Sequence, residues 1–128
     1  MDYPIRLRMK RLKWWYLIDM EKLSVVIITK NEEKNIKDCL ESVYWADEII
    51  VVDSGSQDET VKICQENSCK IIESEWLGFG PTKQLAVNAA SNDWILSLDA
   101  DERVSNALRK TIENLLQTSM IAKGYRIK

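Results

Sequence analysis

Three short runs of β-branched and aliphatic residues limit what this chain can fold into. They are "LSVVIIT" (Leu23 to Thr29), "EIIVVD" (Glu48 to Asp53) and "WILSLD" (Trp94 to Asp99). Runs this short and this apolar suit strands buried on both faces. "KIIE" (Lys70 to Glu73) reads as a further, shorter strand. Helical spacing fills the gaps. Ile36, Cys39, Leu40 and Val43 fall on one stripe, as do Leu108, Ile112, Leu115 and Leu116 after Ser105, a good N-cap. Ser56 and Glu59 have the spacing of a capping box for a helix carrying Val61, Ile63 and Cys64. Pro81 suits the first turn of a helix running to about Ala90. "YRIK" after Gly124 reads as the start of another strand. Strands alternating with helices predict an α/β fold, with a mainly parallel sheet covered on both faces.

At 128 residues the chain makes one domain of ordinary size. It contains no histidine, which removes Ser-His-Asp and Cys-His nucleophiles and His-ligated zinc together. The net charge of −2 argues against a general nucleic-acid binder. Cys39, Cys64 and Cys69 are odd in number and lack zinc-site spacing, so they read as free thiols of a reducing compartment. Residues 1–19 differ from the rest. Arg6, Arg8, Lys10, Arg11 and Lys13 precede Trp14, Trp15 and Tyr16. This leader is expected to stand outside a domain of residues 20–128. Basic and aromatic residues over 5–18 suit contact with an anionic membrane surface. Met20 opens a phrase that reads like a natural start.

In open parallel sheets ligands bind beyond the carboxyl ends of the strands. Three polar clusters fall there: Thr29 to Glu32, Asp53 to Ser56, and Asp99 to Glu102. Asp99 and Asp101, two residues apart after a strand, can aim both carboxylates into one crevice. Such a pair repels itself unless a cation intervenes, and oxygen ligands suit Mg²⁺ or Mn²⁺. A solvated acidic turn is the plainer alternative. Asp53 can accept from a base N–H or ribose hydroxyls, or simply cap its loop with Ser54. Asn31 can be an ordinary N-cap. Lys83 falls in the first turn of its predicted helix, where anions bind, or else faces solvent. Trp76, Phe79 and Trp94 read as packing residues. The glycines match neither a dinucleotide fingerprint nor a P-loop.

Together, "SVVIITKNEEKNIKDCLESV", "EIIVVDSGSQDETVKI" and "GFGPTKQLAVNAASNDWILSLDADE" resemble family 2 glycosyltransferases. Within that family the likeness is to bacterial lipopolysaccharide-core β-glucosyltransferases. It covers about Met20 to Lys128 and implies the GT-A fold, whose nucleotide-sugar-binding half is Rossmann-like. By this resemblance Thr29, Asn31 and Glu32 match the first nucleotide-contacting loop. Asp53 matches the carboxylate that recognises the base, and Lys83 a basic position near the nucleotide. Asp99 and Asp101 match the DXD motif, with Asp99 near the ribose and Asp101 on the metal. The implied reaction is inverting and dependent on Mg²⁺ or Mn²⁺. Its implied donor is a nucleotide sugar, UDP-glucose, and its acceptor a lipopolysaccharide core or other glycan or glycolipid.

Family members continue well past the position of Lys128, and that portion supplies the acceptor site and catalytic base. Glu102 and Asp93 do not sit in the matching motif, so no base is assigned. The chain is therefore expected to be the donor-binding half, truncated at its C-terminus and prone to self-association. The expected location is cytoplasmic, peripheral at the inner membrane face. Two alternatives stand beside it: a nucleotide-sugar-binding fragment without turnover, and a haloacid dehalogenase-type phosphatase, which also follows a strand with Asp-x-Asp. The phosphatase places that pair near its beginning and leaves the other two clusters unexplained.

Overall fold

The computed structural model describes residues 6–9 and 21–121, with side chains at position 7 and over 21–117. The strands are β1 (Arg6–Met9), β2 (Leu23–Thr29), β3 (Glu48–Asp53), β4 (Lys70–Glu73) and β5 (Trp94–Asp99). The helices are α1 (Ile36–Glu41), α2 (Thr60–Glu66), α3 (Phe79–Ala89) and α4 (Asn106–Ile121). The sheet order is β1-β5-β2-β3-β4. All neighbours are parallel except β1, which pairs antiparallel with β5. This is the α/β sheet the apolar runs predict.

Alternation along the strands divides the core. Leu23, Val25 and Ile27 face a layer that includes Ile36, Cys39 and Leu40 of α1, Cys64 of α2 and Ile112 of α4. Val26 of β2, with Ile50 and Val52 of β3, faces Ala86 and Val87 of α3. The side each helix takes follows from chain direction. The crossovers through α1 and α2 step outward from β2 to β4. The crossover through α3 steps back past β2 to β5, and a right-handed connection running the other way covers the opposite face. The sheet therefore has a topological switch point between β2 and β5, where such folds hold ligands.

Some local expectations change. Residues 1–19 were expected outside the fold, but Arg6–Met9 joins the sheet, pairing Arg6 with Ser97 through Met9 with Trp94. The β5 edge carries unpaired backbone groups whatever the charge of the strand that meets it. Ser56 does not cap α2, which starts at Thr60. Asp58 instead accepts the Thr60 N–H at 3.0 Å. Leu115 is 46% exposed, leaving Leu108, Ile112 and Leu116 as the stripe of α4. Ser105 caps α4 as expected, accepting the Leu108 N–H at 3.1 Å. The expected strand after Gly124 and residues 10–18 of the membrane-contact segment lie outside the described residues. Among the described residues, no helix is long and apolar enough to cross a membrane.

Candidate functional site

Strand register assembles the site. Thr29 lies opposite Asp53, and Ile28 lies opposite Asp99. Three polar strand ends separated by up to seventy residues thus meet on one edge of the sheet. Beyond them opens a cleft of about 300 Å³, lined by Ile28, Thr29, Lys30, Glu32, Ser54, Trp76, Phe79, Asp99, Ala100 and Asp101. Of the residues expected here, Thr29, Glu32, Asp99 and Asp101 line the cleft. Asn31, Asp53 and Lys83 do not.

Asn31 and Asp53 instead build the wall behind it. Asp53 is 1% exposed. Its Oδ2 accepts N–H groups from Ser56 at 2.9 Å and Gly55 at 3.2 Å, and its Oδ1 accepts the Ser56 hydroxyl. Gly55, at φ +90°, permits that return of the chain. The Ser56 Oγ in turn accepts the Asn31 N–H at 2.8 Å, and Asn31 Oδ1 accepts the Gln57 N–H at 2.7 Å. Asn31 is at φ 53°, a left-handed conformation Asn tolerates better than most residues. It is not the N-cap of α1, which begins at Ile36. Glu32 N–H to Thr60 Oγ1, at 2.9 Å, and Glu59 N–H to Glu33 Oε1, at 2.9 Å, complete the clamp. The two loops are one hydrogen-bonded unit.

Two hydroxyls are left over. Thr29 Oγ1 and Ser54 Oγ are buried and have no hydrogen-bond partner among the described residues. Both residues line the cleft. A buried hydroxyl without a partner costs stability, and natural structures satisfy nearly all of them. Ser54 was expected only to help cap its loop. Nothing in the sequence distinguishes it from Ser56, because the difference is which one Asp53 engages.

The acidic turn is also built, not merely solvated. Glu102 Oε1 accepts the Asp99 N–H at 2.6 Å, while the Glu102 N–H donates to the Asp99 carbonyl at 2.9 Å. Burial raises the Glu102 carboxyl, and Asp99 and Asp101 push it further. The bond from the Asp99 N–H and the charge of Lys83 pull the other way without cancelling the rise. Burial likewise pushes the Cys39 thiol up to about 12, helped by Glu102, Asp101 and Asp99. Asp99, Asp101 and Glu102 form an acidic cluster that the charge of Lys83 offsets only in part. Among the described residues no group of three carboxylates or thiols is arranged to hold a metal by itself. Two carboxylates bordering the cleft fit Mg²⁺ or Mn²⁺ only as part of an oxygen set that a bound diphosphate completes.

Lys83 departs from expectation for a simple reason. The helix starts at Phe79, two residues before Pro81, so Lys83 stands in its second turn. Trp76 and Phe79 also depart from expectation. They border the cleft with 50% and 69% of their surface exposed, whereas Trp94 packs in the core at 5%.

The chain matches glycosyl transferase family 2 over residues 24–126. It belongs to that family. An uncharacterized glycosyltransferase of Rickettsia felis is 47% identical over 95 residues, covering 73% of this chain and 34% of that protein. The lipopolysaccharide core biosynthesis glycosyltransferase LpsC of Rhizobium meliloti is 36% identical over 110 residues, covering 82% of this chain and 41% of LpsC. This chain therefore spans between a third and about two-fifths of those relatives. Among solved structures, S. aureus TarS superposes with a TM-score of 0.63 at 27% identity, over 76% of this chain and 32% of TarS. The glucosyl-3-phosphoglycerate synthase of Mycobacterium tuberculosis shares the fold at a TM-score of 0.57 and 24% identity, over 65% of this chain and 36% of the synthase. That enzyme was crystallised with Mn²⁺, UDP and glucosyl-3-phosphoglycerate. The fold is the GT-A type of family 2 glycosyltransferases. Membership in that family sets the phosphatase alternative aside.

Proposed function

We propose that this chain is the donor-binding part of a family 2 glycosyltransferase and takes a nucleoside diphosphate sugar, UDP-glucose, in the cleft beyond β2, β3 and β5. The observation that carries this is the convergence of three polar strand ends on one cleft, which Thr29, Ser54, Asp99 and Asp101 line. Asp53, through the loop it holds, shapes the base end, with Asn31 and Glu32 on the facing loop. Lys83 adds positive charge on the α3 side. Asp99 and Asp101 would hold Mg²⁺ or Mn²⁺, which supplies neutralisation of the diphosphate as it departs. The reading is of an inverting displacement. The acceptor hydroxyl forms a bond to the anomeric carbon, the bond to diphosphate breaks, and the hydroxyl proton passes to a base not assigned in this chain. The acceptor is proposed to be a lipopolysaccharide core or related glycolipid. The location is proposed to be cytoplasmic, at the membrane face, with residues 5–18 in contact with lipid and self-association through uncovered apolar surface.

The test is calorimetric titration of Mn²⁺ with and without UDP. Affinity for Mn²⁺ rises in the presence of UDP, because two carboxylates alone are too few ligands. The rise disappears in Asp101→Ala. Equal Mn²⁺ affinity in both titrations would overturn the reading.

A further inference from the structure

The connection from β4 into the first turn of α3 places two large apolar side chains, Trp76 and Phe79, where water should reach them. Trp76 and Phe79 do not splay apart, however. Their ring centroids lie 4.9 Å apart at 89°, an edge-to-face contact. An edge-to-face pair fixes the ring directions and leaves ring face free for a third group. The segment is pinned from below. The Leu77 N–H points to the hydroxyl of fully buried Thr82 at 3.4 Å, and the Thr82 N–H donates to the Gly78 carbonyl at 3.1 Å. Gly78, at φ +94°, turns the chain between the two rings. Exposed aromatic surface held in place beside a polar cleft marks a binding surface.

We propose that Trp76 and Phe79 form a stacking platform for the C–H face of the sugar ring of a nucleoside diphosphate sugar. This rests on the cleft being the donor site. A pyranose is polar around its rim and apolar on its faces, so its recognition needs both kinds of partner. The cleft has both, since the carboxylate residues Glu32, Asp99 and Asp101 line it together with the aromatic pair. The platform distinguishes donor from spent nucleotide, because a free nucleoside diphosphate has no sugar ring to stack.

The experiment compares UDP with UDP-glucose on the whole chain, in Mn²⁺, by calorimetry. Trp76→Ala and Phe79→Ala each weaken UDP-glucose binding about three- to tenfold and leave UDP binding within about twofold. Trp76→Phe recovers most of the loss, since it restores a ring face. Equal weakening of both ligands means the rings stack on the base and overturns the proposal. Unchanged binding of both in the two alanine variants overturns it as well, while the donor-site reading survives either result. Failure of the wild-type chain to bind UDP overturns the donor-site reading itself, and the platform falls with it.

Discussion

Asp53 shows what one buried carboxylate does here. Its oxygens take three hydrogen bonds from Gly55 and Ser56, and Ser56 passes the constraint to Asn31. Asp53→Ala leaves those donors without an acceptor and is expected to cost about 1–3 kcal/mol in urea unfolding. Asp53→Asn costs less. Its amide oxygen still serves the N–H groups, and the Ser56 hydroxyl can turn to accept from its amide nitrogen. Both variants weaken UDP binding, because the loop behind the cleft loosens. Thr29 presents the opposite case. Its hydroxyl is buried without a partner, so Thr29→Val exchanges an unsatisfied group for a methyl of similar shape. That variant is expected to be more stable by about 1 kcal/mol and to bind UDP more weakly. A stabilised variant with undiminished binding would remove Thr29 from the site. The position of Thr29 at the cleft was legible from its place at a strand end. The choice of Ser54 over Ser56 as the free hydroxyl was not, because both stand in one polar loop and only the fold decides which one Asp53 engages.

At the opposite ends of the strands, elements are joined by a polar cluster that the apolar pattern does not announce. Glu48, at the start of β3, accepts from the Ser24 hydroxyl at 2.7 Å, the Ser91 N–H at 2.8 Å and the Ser91 hydroxyl at 2.9 Å. Ser24 also accepts from Asn92. β2, β3 and the turn into β5 are thereby tied together. Burial raises the Glu48 carboxyl, but these hydrogen bonds and the charge of Lys70 outweigh it and hold the group below its ordinary value of 4.5. A carboxyl depressed in the folded state stabilises above its unfolded pKa, and that contribution is lost as pH falls through the folded one. Urea midpoints of the wild type should therefore drop as pH falls below about 4.5. Glu48→Gln should be less stable at pH 7 and show a shallower acid slope. Parallel slopes for the two proteins would contradict the role given to Glu48. On the cleft side, α3 depends on Gly78. A Cβ there has room, its nearest contact being the Pro81 Cδ at 3.8 Å, but φ +94° is strained for any other residue. Gly78→Ala is expected to cost about 1 kcal/mol by thermal unfolding. It should also reduce the preference for UDP-glucose over UDP, by shifting the segment that carries Trp76 and Phe79.

For the whole molecule, β1 covers the edge that β5 would otherwise present. Deleting residues 1–9 leaves the Trp94–Ser97 backbone unpaired along that edge. The deletion is expected to lower the thermal midpoint and raise the apparent mass in light scattering, since open edges recruit other strands. An unchanged midpoint and a monomer would show that the edge needs no cover. The amino-acid sequence by itself determined the four parallel strands. Leu23–Thr29, Glu48–Asp53, Lys70–Glu73 and Trp94–Asp99 match the apolar runs end to end. It also determined the parallel α/β class and the polar residues that close three of those strands. These follow from local chemistry, since β-branched apolar runs are strands wherever both faces can be buried. Tertiary structure alone decided which strands are neighbours. Placing β5 beside β2 brings Thr29, Asp53 and Asp99 to one edge, makes a single clamp of two loops, and sets Trp76 and Phe79 at the cleft. It also drew Arg6–Met9 into the sheet. Those outcomes rest on contacts between residues far apart in the chain. Crossover handedness and edge pairing govern them, and neither leaves a mark on local spacing.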